Sequence, residues 1–175
     1  NEIFLSLEKK SSNKNNQEKR EILKNRSSDL ASYNNEIKNC LKCELGSTRN
    51  NFVFGVGDFN ASLILVGEAP GVQEDLRGEP FVGRAGKLLD QMLSAINRSR
   101  EKDVFICNVL KCRPPDNRDP SKNEIEKCEP YLVNQIDLIQ PKLIVALGRV
   151  AGKTLLSVDK SLKDMRNTIH NYHGT

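Results

Sequence analysis

Three short, unbroken apolar runs constrain this chain more than anything else in it: Leu63-Ile-Leu-Val66, Val104-Phe-Ile-Cys107 and Leu143-Ile-Val-Ala-Leu147. Runs of this length with no polar residue predict strands buried on both faces, the habit of parallel sheets. Between them the apolar residues change spacing. Leu88, Leu89, Met92, Leu93 and Ile96 predict one helical stripe, and Ile125, Cys128, Leu132, Ile136 and Ile139 a second. Ser121-Lys-Asn-Glu124 opens the second with a capping-box pattern, and Pro130 inside it predicts a kink or a split. A third helix is expected from Gly148 to about Leu156, and Leu30, Tyr33 and Ile37 predict an earlier one that delivers the chain to Cys40. Phe52-Val-Phe54 leads into Gly55-Val-Gly-Asp58, which reads as a glycine-rich turn. Alternating strand and helix predict an α/β fold, a three-layer sandwich around a central, mainly parallel sheet.

The 175 residues suffice for one domain, expected over residues 29–175. Residues 1–28 are mostly Lys, Glu, Asn and Ser and predict a solvated tail or a frayed polar helix. The chain opens on Asn1 and closes on Gly174-Thr175 without a terminating element, so both ends are expected to be incomplete. A net charge of +4 suits a phosphate-bearing partner but is too common to identify one. No apolar run is long enough to span a bilayer and no signal-peptide pattern precedes the domain, so a cytoplasmic, monomeric protein is expected.

Such a protein has little use for disulfides, which turns attention to its cysteines as metal or cluster ligands. Cys40 and Cys43 form a C-x-x-C; Cys112 lies in Lys-Cys-Arg-Pro-Pro and Cys128 in Cys-Glu-Pro-Tyr-Leu. Four thiolates suit zinc or an iron–sulfur cluster equally well. Either would staple the front of the chain to its middle. Cys107 sits inside a strand and reads as a small core residue.

In an open α/β sheet, ligands bind beyond the carboxyl ends of the strands. Here those ends lead into Gly67-Glu-Ala-Pro-Gly71, Asn108-Val-Leu-Lys-Cys112 and Gly148-Arg149. Glu74, Asp75 and then Pro80-Phe-Val-Gly-Arg-Ala-Gly86 follow the first of them. The glycines permit tight turns and close backbone approach, yet the Gly-Lys-Ser/Thr of a phosphate loop is missing. That absence counts against a zinc-stapled nucleotide-phosphate enzyme. Asp75 is expected only to favour the start of a helix.

Taken together, Gly-Glu-Ala-Pro-Gly-x-x-Glu-Asp, Pro-Phe-Val-Gly-Arg-Ala-Gly, Asn-Val-Leu-Lys-Cys-Arg-Pro-Pro-x-Asn-Arg-x-Pro and Cys-x-Pro-Tyr-Leu resemble the family 4 uracil-DNA glycosylases. The resemblance runs from about Cys40 to Gly152 with the motifs in order. It implies that Cys40, Cys43, Cys112 and Cys128 hold a structural [4Fe–4S] cluster. It implies a substrate, uracil-containing DNA, whose uracil is flipped out and released by hydrolysis of its N-glycosidic bond, leaving an abasic site. Asn108 would read the base edge, since an amide offers both a donor and an acceptor. Phe81 would stack on the base, with Gly67 and Ala69 lining the pocket. Glu68 and Glu74 are the catalytic candidates, Glu68 the stronger, because a carboxylate can orient water and favour positive charge on the sugar. Arg113, Asn117 and Arg118, in the Pro-rich loop, are candidates for DNA contact.

The family's last motif, His-Pro-Ser/Ala, is not present; His170 and His173 are followed by Asn171 and Gly174. A version extended through such a motif is therefore expected to cleave much faster, and a non-catalytic nucleic-acid-binding module remains the rival reading.

Overall fold

The computed structural model describes residues 28–175, so all but the last residue of the polar segment expected over residues 1–28 lies outside the described residues. Residues 28–37 form helix α1, followed by the short α2 (Leu45–Thr48). Then come β1 (Val56–Gly57), β2 (Leu63–Gly67), α3 (Val72–Arg77), α4 (Arg84–Ala95), β3 (Val104–Asn108), α5 (Lys122–Ile139), β4 (Leu143–Ala146), α6 (Arg149–Leu156) and α7 (Leu162–Met165). The sheet order is β1-β3-β2-β4. β2 pairs in parallel with both β3 and β4, while β1 runs antiparallel to β3.

Alternation along the two central strands builds the layers. Leu63, Leu65, Val104 and Ile106 face one way and pack with Leu89 and Leu93 of α4. Ile64, Val66, Phe105 and Cys107 face the other way, onto Leu30 and Ile37 of α1, Leu132, Ile136 and Ile139 of α5, and Ala151 of α6. This is the three-layer arrangement that the apolar runs predict, and Cys107 is the core residue expected of it.

Four local expectations are corrected. Gly55–Asp58 is not simply a turn, because it contains β1. A side chain at Gly57, whose φ is 128°, would place its Cβ 2.1 Å from the Val104 carbonyl oxygen, so only glycine lets this edge come so close. The run Leu143–Leu147 forms β4, but at an edge of the described sheet: Leu143 is 53% exposed, beside a groove of about 620 Å³ that α6 and α7 also line. The stripe on α4 is narrower than its sequence suggests, with Leu88, Met92 and Ile96 left exposed. Finally, Pro130 does not split α5, which runs unbroken over Lys122–Ile139. Pro130 and Glu126, whose carbonyl loses its donor, are both exposed, so water can take the place of the missing bond.

The start of α5 is the capping box read from the sequence. Ser121 Oγ accepts from the Glu124 N–H at 3.3 Å, and Glu124 Oε2 accepts from the Ser121 N–H at 2.7 Å. Arg118 grips the same carboxylate with bonds of 2.9 and 2.6 Å. The Arg118 bond above all, assisted by Ser121 and opposed by burial, pulls the Glu124 carboxyl down from 4.5 to about 2. A folded value below the unfolded one stabilises the fold at any pH above about 4.5, and the benefit drains away as pH falls towards about 2. Glu124→Gln is therefore expected to cost about 1 kcal/mol or more at neutral pH and almost nothing near the acid end of that window. Denaturant midpoints measured at both pH values check it.

Candidate active site

The carboxyl ends of β2 and β3 lie side by side, with Gly67 opposite Asn108 in the parallel register. Beyond them the two chains stay zipped: Val109 N–H donates to Gly67 O and Leu110 N–H to Glu68 O, each at 2.9 Å. A Cβ on Gly67 would sit 2.4 Å from Asn108 Oδ1 and 2.6 Å from Phe81 Cζ. Glycine here is what allows the amide and the aromatic ring to close on one spot. Asn108 is 2% exposed, and its Oδ1 has no hydrogen-bond partner. An unpaired buried acceptor costs about 1–3 kcal/mol, which makes it an unusual thing to keep unless something docks there. Phe81 has a left-handed φ of 52°, a conformation costing a non-glycine residue about 1–2 kcal/mol. Ala69, two residues on, is half-buried against the core.

The carboxylates divide by environment. Glu68 is half-buried on the loop leaving β2, and burial pushes its carboxyl up; Asp119 adds to the rise and Arg149 opposes it. Arg149 itself pairs with Asp119 at 2.5 Å. Glu74 turns inward, its Oε1 accepting from the Val82 N–H at 2.9 Å and the Gly83 N–H at 2.8 Å. Asp75 does more than favour a helix start. It is 2% exposed and accepts from the Asn50 N–H at 3.0 Å, the Asn50 side-chain amide at 2.5 Å and the Asn51 N–H at 3.3 Å. That bundle fastens α3 to the chain just after the cysteine pair. In the Pro-rich loop, Arg113 Nε donates to Asn117 Oδ1 at 2.8 Å, while Arg118 serves the cap of α5.

All four motif cysteines line one small cavity, together with Lys42, Gly46, Phe52, Lys127 and Tyr131. Donors surround their sulfurs. Tyr131 Oη reaches Cys40 Sγ at 3.1 Å, Arg49 Nη1 reaches Cys112 Sγ at 3.3 Å, and the backbone N–H groups of Lys42 and Lys111 point at Cys40 and Cys128 at 3.4 and 3.3 Å. Burial pushes the Cys128 thiol up to about 11, against the pull of Lys111, and raises that of Cys112 against Arg49. Among the described residues no three His, Cys, Asp or Glu side chains converge as they would on a single ion. Four thiols around one cavity, three of whose sulfurs are met by N–H or O–H donors, are a soft donor set that suits zinc or an iron–sulfur cluster.

Several residues here take roles that no motif assigns them. Lys111 is fully buried, its ammonium donating to Asn108 O at 2.7 Å and Gln135 Oε1 at 2.6 Å, and Gln135 passes the chain on to Phe54 O. Lys111 thus ties the carboxyl end of β3 to α5. Its position next to Cys112 was the only available hint. Arg149 was legible as a strand-end residue, Asp119 and Arg49 not at all. His170 and His173 lie on the C-terminal segment, His170 Nε2 2.9 Å from Met165 O and His173 edge-on to Tyr172.

Against known proteins, residues 54–174 match the family model for the uracil DNA glycosylase superfamily. The chain is 56% identical over 123 residues to a type-4 uracil-DNA glycosylase of Archaeoglobus fulgidus, covering 70% of this chain and 61% of that protein. It is 48% identical over 130 residues to the type-4 enzyme of Pyrobaculum aerophilum, 74% of this chain and 66% of the relative. With that of Sulfurisphaera tokodaii the figure is 52% over 128 residues, 73% of this chain and 58% of the relative. With that model matched over more than half of its residues, the chain belongs to the uracil DNA glycosylase superfamily. The matched segments span just under two thirds or less of these relatives' own lengths. No described helix is long and apolar enough to cross a membrane.

Proposed function

We propose that this chain removes uracil from DNA by hydrolysing its N-glycosidic bond. The observation that carries the reading is the unpaired, buried Oδ1 of Asn108 beside the ring of Phe81. Uracil presents N3–H, a donor, next to O4, an acceptor; the Asn108 amide offers the complementary pair, Oδ1 and Nδ2–H. A base flipped out of the helix would lie against the Phe81 ring with its edge on Asn108 and the Gly67–Ala69 backbone at its rim. As the C1′–N1 bond breaks, its electron pair leaves with the uracil ring and positive charge develops on the sugar. A water oxygen then bonds to C1′ and gives up a proton, which neutralises the departing uracil anion. Glu68, half-buried at the mouth, is assigned to orient that water and steady the sugar charge. Glu74 has its carboxylate committed to two backbone N–H groups, which favours Glu68 for this role. Arg113 and Asn117, in the Pro-rich loop that follows β3, are assigned to phosphate.

Cys40, Cys43, Cys112 and Cys128 would hold a [4Fe–4S] cluster, which supplies cross-linking rather than reaction chemistry, since all four cysteines are used as ligands. The direct test is release of free uracil from a uracil-bearing oligonucleotide, run beside a gel-shift binding assay. Release supports the reading; binding without release would leave a non-catalytic DNA-binding module.

The pH profile is a second check. Glu68 acts as a carboxylate, so the rate falls on the acid side as it takes up a proton. Asp119 raises its pKa and Arg149 lowers it. Asp119→Asn is therefore expected to move the acid limb to lower pH, and Arg149→Met to higher pH. Two variants that leave the limb in place would remove Glu68 from the rate-determining protonation.

A further inference from the structure

We propose that Arg100 is a positioning residue for the base-stacking ring of Phe81, acting through the peptide that joins Phe81 to Val82. The inference rests on the uracil-pocket reading above and adds to it the device that keeps the pocket wall in place. Arg100 lies in the loop between α4 and β3, outside every motif, yet its side chain is only 12% exposed. Its guanidinium is anchored on Asp90 of α4, with Nε at 2.9 Å and Nη2 at 2.7 Å from Oδ1. From that anchor Nη1 reaches Pro80 O at 3.1 Å and Nη2 reaches Phe81 O at 2.8 Å.

The other end of the same peptide is also held. Glu74 Oε1 accepts from the Val82 N–H at 2.9 Å and the Gly83 N–H at 2.8 Å. One peptide unit is thus bonded at its oxygen by Arg100 and at its N–H by Glu74. A third constraint is steric: a Cβ on Gly86 would lie 1.7 Å from Phe81 O, so this carbonyl nests directly against the α4 backbone. These contacts surround a residue whose φ of 52° a phenylalanine does not adopt unaided. The result of that unusual backbone is a ring directed at Gly67 and Asn108. A guanidinium suits this work better than an ammonium, because its fixed fork meets a carboxylate and two carbonyls at once.

The test reads base capture rather than overall stability. Dissociation constants for free uracil and single-turnover release from a uracil oligonucleotide are measured for the parent chain, Arg100→Met, Arg100→Lys and Asp90→Asn. Arg100→Met is expected to weaken uracil binding about tenfold, within what a base–aromatic stack contributes. Arg100→Lys should recover part of this, since it keeps one donor for the carbonyls. Asp90→Asn, at a half-exposed position, should give a smaller loss and serves if Arg100→Met does not fold. In a Phe81→Ala background, Arg100→Met should add nothing, because its effect passes through the ring. Partial misfolding would lower the active fraction but not the affinity of what remains. Unchanged uracil affinity in Arg100→Met, or an equal further loss in the Phe81→Ala background, overturns the proposal. A parent chain that neither binds nor releases uracil would instead overturn the pocket reading on which it rests.

Discussion

Asn108→Asp is expected to slow uracil excision by the folded protein about a hundredfold or more, and also to cost stability, because a carboxylate replaces an amide at a position 2% exposed. An ionised carboxylate can still accept from N3–H but offers nothing to O4, so two acceptors face each other in a site that water does not relieve. Sites built to hydrogen-bond a substrate discriminate this steeply because the mismatch leaves buried polar groups unpaired. The same change offers an acceptor to the exocyclic amine of cytosine, so a trace of cytosine release is the accompanying expectation. Oligonucleotides bearing either base, assayed under single-turnover conditions, give both numbers. Excision of uracil at the parent rate would take Asn108 out of the pocket.

Cys128→Ala should be as severe by a different route. Protein purified without oxygen is expected to be brown and to contain iron and sulfide; the variant should lose about half of its iron or more, and its melting temperature should fall with it. Cys128 lies on α5 and accepts from the Lys111 N–H, while its partners across the cavity belong to segments before β1 and after β3. Removing one thiolate therefore loosens three stretches of chain together. A colourless parent protein with one zinc per chain would refute the cluster.

The sequence carries the central strands and the candidate ligands clearly, because each is a local pattern. Val104–Cys107 and Leu63–Val66 are apolar throughout, and both strands are buried throughout. Leu143–Leu147 looks the same on paper and ends half-open, since burial depends on what covers a strand and not on the strand itself. The α4 stripe fails for a similar reason: the sheet offers a surface wide enough for Leu89 and Leu93 but not for Leu88, Met92 and Ile96. The residues that hold the site together were the least legible. Arg100, Asp75 and Lys111 meet partners 19, 25 and 24 residues away, at distances where no periodicity or motif couples them. Glu74 was visible as a carboxylate, but only the bonds to Val82 and Gly83 separate its work from that of Glu68.

The span between Tyr131 and Cys40, 91 residues bridged by one hydrogen bond, has a consequence for biosynthesis. Cys40 and Cys43 leave the ribosome some 85 residues ahead of Cys128, and at about 5–20 residues per second that is a delay of roughly 4–17 s. Until Cys112 emerges, 69 residues after Cys43, a nascent chain offers only half a coordination shell, and the shell is complete only once Cys128 is out. On the cluster reading, delivery of iron and sulfide has to wait until α5 has emerged and packed on the sheet. Slow elongation between Cys43 and Cys128 or an early oxidant would then yield colourless protein from an intact gene, and faster elongation through that stretch should raise the fraction that carries its cluster.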